Sequence, residues 1–165
     1  LMKFYEKNNN LENILPIING ESEVSLRLID WFVTNYAKKN FTVYKKGNER
    51  FKVYIDYKLK LKAYSKKRFD PFCRWERISI PYIDDTSIQT TIGQLNFFKW
   101  AIENKVLDWI YDPQNLKKVE QDMASTTQVR KKERESATTK KRKELSKNLN
   151  RTARTHNVKI TVSFI

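Results

Sequence analysis

The sequence predicts an α+β fold: a small antiparallel sheet, made of a hairpin plus further strands, packed against two to four helices, then a basic flexible C-terminal linker and a terminal strand. Three observations predict it. Apolar residues recur at helical spacing over residues 23–38 and 92–111. They alternate with polar residues over 51–62 and 75–82. After Met123 they nearly vanish. These shifts divide the chain into a globular α+β domain over 1–123, a basic low-complexity linker over 124–157 and a C-terminal strand over 158–165.

Leu11 to Ile18 is apolar enough for about two helical turns, and Asn19-Gly20 is a C-terminal stop. Ser22 has the chemistry of an N-cap. Leu28, Ile29, Phe32, Val33 and Tyr36 then form the apolar stripe of a helix over 23–38. Lys38-Lys39-Asn40 suits its end, where cations meet the negative pole of the helix dipole. The period then changes. Phe41 and Val43, then Phe51, Val53, Ile55, Tyr57, Leu59 and Leu61, alternate with Thr42, Lys52, Tyr54, Asp56, Lys58, Lys60 and Lys62. Period two predicts half-buried strands, with Lys46-Gly47-Asn48-Glu49 as the hairpin loop. Pro71 interrupts the chain, and Ile78 and Ile80 mark a third strand over 75–82.

Thr91 and Gln94 have capping-box spacing. Ile92, Leu95, Phe98, Ile102, Val106, Leu107 and Ile110 follow as a core-facing helical stripe. Asp112-Pro113 restarts the pattern as N-cap and first helical residue of a short helix to about Met123. Over 124–157 the large aliphatic residues are only Val129, Leu145 and Leu149, and none is aromatic. Such a stretch cannot bury enough apolar surface to offset its ordering entropy, which predicts a disordered or partly helical linker. Val158, Ile160, Val162 and Phe164 alternate again, as in a strand that returns to a sheet edge or joins another chain.

Composition narrows the function. The chain is 39% apolar and 13% aromatic, which supports a core and excludes a wholly disordered chain. Cys73 is the one cysteine, so no intrachain disulfide forms and a disulfide-stapled secreted scaffold is excluded. No apolar run nears the roughly 18 residues of a transmembrane helix, and Leu1 to Asn10 has no signal-peptide core. An intracellular protein without a membrane partner is expected. The opening Leu1 fits a fragment, or initiation at Met2. Glycines 20, 47 and 93 are too few and too scattered for a phosphate-cradling loop or a dinucleotide fingerprint. His156 and Cys73 lie 83 residues apart with no other soft ligand, so neither a metal nor a cofactor is expected. Asp84-Asp85 reads as a turn, and Asp70 and Glu76 flank a proline turn. None of these carboxylates has the spacing of a phosphoryl-transfer site, and a non-enzymatic protein is expected.

Charge is the outlier: 33 Lys+Arg against 19 Asp+Glu, a net +14 and a pI near 9.8. Residues 129–157 hold Arg130, Lys131, Lys132, Arg134, Lys140, Lys141, Arg142, Lys143, Lys147, Arg151 and Arg154 against Glu133, Glu135 and Glu144, which is +8. A density this high repels itself unless an anion or solvent neutralises it. Three readings of the basic blocks stay open: phosphate contact, a nuclear-import signal and a bland solvated tail. Lys58, Lys60, Lys62, Lys66, Lys67 and Arg68, interleaved with Tyr57, Tyr64 and Phe69, form a second basic region. On a strand, its three alternating lysines would project as one row. Basic side chains tracking a backbone beside aromatics that stack on bases is a nucleic-acid-binding pattern. The bland alternative is a wet strand face over an aromatic core.

Three stretches carry a resemblance: Arg68-Phe69-Asp70-Pro71-Phe72-Cys73-Arg74-Trp75-Glu76-Arg77-Ile78, then Thr90-Thr91-Ile92-Gly93-Gln94-Leu95-Asn96-Phe97-Phe98-Lys99-Trp100-Ala101-Ile102-Glu103-Asn104, and the ending through Lys141-Arg142-Lys143-Glu144-Leu145-Ser146 and His156 to Phe164. Together they resemble a protein family of nucleocytoplasmic large DNA viruses, the giant viruses. The resemblance implies a setting in an infected cell, in the nucleus or a viral factory, or in a virion. Two functions are therefore expected. The first is a nucleic-acid-binding protein, for DNA or RNA, that holds phosphates through the tail cations and through Lys58 to Arg68. The second is a virion structural or interaction protein that binds an acidic viral or host protein through the tail and terminal strand.

Overall fold

Backbone groups left without a partner decide where this chain stops being strand and becomes helix. The structure is a computed structural model that describes the backbone of residues 1–162 and the side chains of residues 1–137. It separates into two units, Leu1–Met123 and Ala124–Ile165. The first unit opens with α1 (Met2–Glu6), α2 (Asn10–Ile18) and α3 (Leu26–Trp31), and α3 passes through a π-helical turn (Phe32–Tyr36) into α4 (Ala37–Lys39). Asn19 and Gly20, at φ 74, end α2 where the sequence placed a stop. The cap of α3 is Ser25, whose hydroxyl accepts the Leu28 N–H at 3.1 Å, while Ser22 accepts the Val24 N–H in the preceding turn.

The hairpin follows as β1 (Val43–Lys46) and β2 (Glu49–Lys52), antiparallel, with Gly47 and Asn48 between them. The strand expected to run on from Phe51 to Leu61 does not form. The pairing ends at Val43↔Lys52, the Val53 N–H goes to the Thr42 carbonyl at 3.2 Å, and the chain turns into α5 (Val53–Tyr64). Beyond Lys52 a strand would have no partner, whereas a helix satisfies its own backbone. The same residues also satisfy a helix: Val53, Tyr57 and Leu61 are spaced four apart and face the core. Asp56, polar-facing in the strand reading, accepts the Trp100 indole N–H at 2.6 Å.

After α6 (Lys66–Phe69), β3 (Arg77–Pro81) pairs antiparallel with β4 (Ser87–Thr91) across a 3-10 turn (Ile83–Asp85). The α+β class therefore holds, with two separate two-stranded sheets in place of one. The pattern reading missed β4, because Ser-Ile-Gln-Thr-Thr carries one large apolar residue.

Thr91 caps α7 (Ile92–Glu103) by accepting the Gln94 N–H at 3.1 Å. The helix expected over 92–111 breaks at Asn104 and Lys105, with Lys105 at φ 56, before α8 (Val106–Tyr111). Asn104 stabilises the break. Its amide donates to the Trp100 carbonyl at 2.8 Å, its side-chain oxygen accepts Lys46 Nζ at 2.7 Å, and its backbone carbonyl accepts the Tyr44 hydroxyl. The core is built on α7, where Leu95, Phe97, Phe98, Trp100 and Ala101 are all buried. Phe32, Phe69, Ile14, Ile29, Val53 and Ile110 close round it. Fully burying each such side chain contributes roughly 1.5–3 kcal/mol.

Pro113 opens α9 (Pro113–Val162), whose Leu116, Val119 and Met123 join the core of the first unit. The backbone of α9 runs on through 124–162, the stretch in which the linker, expected to be disordered or partly helical, and the start of the expected terminal strand fall. Residues 163–165 lie outside the described residues. The segment has no Gly or Pro after Pro113 and is rich in Lys, Arg, Glu and Ala, which propagate a helix well. Low hydrophobicity, which led to the linker reading, says nothing against a solvated helix.

Gly93 marks a close approach in the core. A Cβ there would lie 2.5 Å from the Asp70 carbonyl oxygen, so α7 meets the end of α6 only because the side chain is missing. Gly93→Ala should lower the unfolding free energy by about 1–3 kcal/mol, read as an earlier urea midpoint with an unchanged m-value.

Candidate nucleic-acid interface

The cations of α5 and α6 are held by the aromatic core beneath them. Phe69, fully buried at the end of α6, packs against Tyr57, Phe97 and Trp100 with ring centroids 5.7–6.1 Å apart and stacks on Tyr64 at 5.8 Å. The Asn96 amide donates to the Arg68 carbonyl at 2.8 Å. With Phe69 pointing in, Lys66, Lys67 and Arg68 are exposed, and Lys67 Nζ and the Arg68 guanidinium lie 5.6 and 5.7 Å from the Trp75 ring centroid. The lysine row expected on a strand is divided by the helix. Lys58 and Lys62 share one exposed face of α5 with Ile55 and Leu59, while Lys60 is half-buried, two positions away on the turn. Beside that face is an open depression of about 490 Å³ lined by Tyr54, Ile55, Lys58, Leu59, Leu61 and Lys62.

Residues 38–68 hold twelve Lys and Arg against two acids, a net +10 within one folded stretch. The rest of the first unit, residues 1–37 and 69–123, holds nine against fourteen, a net −5. Of the two acids, Asp56 is bonded to Trp100. Among the described residues, none of Lys58, Lys60, Lys62, Lys66, Lys67 and Arg68 forms an ion pair. Comparing tail with remainder concealed this, because the basic stretch and its acidic surroundings average out. Lys38, Lys39, Lys45, Lys46, Arg50 and Lys52 went unmarked for that reason, and a running sum of charge would have found them. Two of them are engaged: Lys39 pairs with Asp122 at 3.0 Å and Lys46 bonds Asn104.

In the second unit, Arg130, Lys131, Lys132 and Arg134 are exposed on α9, and Lys131 lies 4.0 Å from Glu135, a pair that contributes little in water. Lys140, Lys141, Arg142, Lys143, Lys147, Arg151 and Arg154 continue along its helical backbone, but their side chains lie outside the described residues.

The carboxylates singled out from the sequence sit in turns. The Asp70 carboxylate accepts the Phe72 N–H at 2.9 Å and shapes the turn, while Glu76, Asp84 and Asp85 sit at φ 48, 55 and 58 in tight turns. Burial, and next the nearby Asp70, push the Asp30 carboxyl up to about 6. Tyr57 is raised by burial first and then by Asp30 and Asp70; burial likewise raises Tyr5, bonded to the Leu95 carbonyl, and Tyr44. A smaller depression of about 200 Å³ lies between Arg77, Gln89, Thr90, Thr91 and Gln94. No group of three or more His, Cys, Asp or Glu that could hold a metal occurs among the described residues. Nor is any helix among them long and apolar enough to cross a membrane.

Fold and charge together define a small basic α+β protein whose folded unit concentrates its cations between α4 and α6. The chain belongs to a family of unknown function, DUF7197, whose model matches residues 1–165. It is also similar to an uncharacterized protein of Acanthamoeba polyphaga mimivirus, 45% identical over 133 residues, which covers 75% of this chain and 51% of the relative. The chain thus spans about half the length of that relative. The giant-virus resemblance read from the sequence agrees with both matches. No solved structure matches the chain.

The Asp30 shift has a definite sign. A carboxyl raised from 3.8 to about 6 in the fold contributes stability that is complete below the unfolded value and is lost as pH rises through 6. Asp30→Asn should therefore flatten the stability profile between pH 4 and 7 and be more stable than the parent at pH 7, as read from urea midpoints across that range.

Proposed function

We propose that this chain is a non-enzymatic nucleic-acid-binding protein of a large DNA virus that holds phosphates through Lys and Arg side chains in both units. The observation that carries the reading is the +10 stretch over 38–68, folded over an aromatic core and opposed by two acids. Assembling such charge on one ordered segment costs self-repulsion that a polyanion relieves. Lys58, Lys62, Lys66, Lys67 and Arg68 are exposed and without an ion pair among the described residues. The cations of 129–157 are the second unit's contribution to phosphate contact. The setting that fits is the nucleus or viral factory of an infected cell, or the virion.

A second reading has its own support. Ile55 and Leu59 are 43% and 62% exposed on α5 beside Lys58 and Lys62, a combination that suits an amphipathic acidic segment of a viral or host protein. Nuclease treatment separates the two: partners that persist after digestion favour the protein reading, and partners lost with the nucleic acid favour the first.

Binding to a labelled oligonucleotide over a series of salt concentrations tests the first reading. Affinity should fall steeply with salt, with a log–log slope of about −0.9 per neutralised phosphate. Replacing Lys66, Lys67 and Arg68 by Gln together should reduce that slope by about 3. Salt-insensitive binding, or no binding in dilute buffer, refutes it.

A further inference from the structure

Phe41 is held where its side chain gives the fold least. Eight non-glycine residues among those described have positive φ, and Phe41, at φ 47, is the one with an apolar side chain. It follows α4, where the Asn40 N–H returns to the Tyr36 carbonyl at 2.9 Å and the Thr42 N–H to the Ala37 carbonyl at 3.1 Å. That pattern closes a helix through a left-handed residue, a place suited to glycine. A bulky residue there is strained, and Phe41 does not recover the strain by burial, since it is 62% exposed. Strained positions of this kind concentrate at functional sites.

The surroundings indicate which chemistry this ring serves. Lys52 Nζ lies 5.9 Å from the Phe41 ring centroid, and Lys38 Nζ lies 5.8 Å from that of Tyr54. Lys38 and Lys39 end α4 just before the ring. An exposed aromatic face bracketed by cations holds a base by stacking while the cations take the flanking phosphates. Bases offer their faces only where they are unpaired, whereas a duplex presents mainly its backbone.

We propose that Phe41 is a base-stacking platform within the 38–68 basic stretch, and that this chain prefers single-stranded nucleic acid to duplex. The inference rests on the nucleic-acid reading and adds the strandedness of the ligand and the residue that senses it.

The experiment measures anisotropy of a labelled oligothymidine of roughly 15 nucleotides and of a duplex of equal length. The proteins are the full chain and its Phe41→Gly, Phe41→Leu and Phe41→Trp variants. The parent should favour the single strand. Phe41→Gly should raise the thermal midpoint, because glycine accepts the backbone, yet weaken single-strand binding about 10-fold with duplex affinity and salt slope unchanged. Phe41→Leu should lose most of the preference and Phe41→Trp keep it. Equal single-strand binding by the parent and Phe41→Gly overturns the inference, as does an equal loss for single strand and duplex. Loss confined to an amphipathic Glu/Leu peptide, with oligonucleotide affinity intact, overturns it in favour of a protein-docking residue. A parent that binds duplex and single strand alike with a normal salt slope refutes the stacking alone. A parent that binds neither refutes the nucleic-acid reading with it.

Discussion

The rings of Tyr57, Phe69, Phe97 and Trp100 share one buried cluster, and the placement of the cations depends on it. Trp100 anchors α5 from below through Asp56, and Phe69 anchors α6. Once Val53, Tyr57 and Phe69 point inward, a chain with lysine at almost every other position has no choice but to direct Lys58, Lys62, Lys66 and Lys67 outward. Gly93 permits the close approach of α7 to the turn at Asp70 that completes this packing.

Charge in the first unit is segregated along the chain. Residues 38–68 carry the excess of cations, and the acids lie on the segments before and after. Asp30 and Asp70 both lie on those flanks; beyond the effect of burial, Asp70 is near enough to raise the Asp30 carboxyl, and both raise the Tyr57 hydroxyl. Asp30, Asp56 and Asp70 are half-buried, whereas most acids of the unit, like most of its lysines, are exposed. Phe41 and Leu59 are exposed within the same cationic stretch. Apolar side chains left in solvent among cations fit a ligand with both apolar and anionic parts, a description that a nucleic acid strand meets.

Period two over Phe51 to Leu61 is a sound strand signal, yet Val53, Tyr57 and Leu61 also stand four apart, and pattern alone cannot choose. Hairpin length chose: β1 has four residues, so a longer β2 would have had nothing to pair with. The stripe over Ile92 to Ile110 was read correctly as core, but the buried Phe97 and Trp100 fell off the stripe, since α7 is enclosed on most sides. After Met123 low hydrophobicity leaves disorder and partial helix both open, and a run free of glycine and proline favours the helical backbone that α9 has there.

By itself the sequence determined the α+β class, the stops at Gly20 and Gly47, the Thr91 cap, the Pro113 restart and the abundance of positive charge, because each depends on a residue's own backbone preference or formal charge. The tertiary structure alone decided that the alternating segment is a helix, that Lys60 parts from Lys58 and Lys62, that Lys67 and Arg68 meet Trp75, and that Phe41 stays in solvent on a strained backbone. Those outcomes depend on which unpaired backbone groups and which aromatic faces find partners far along the chain, and such partners exist only once the chain has folded.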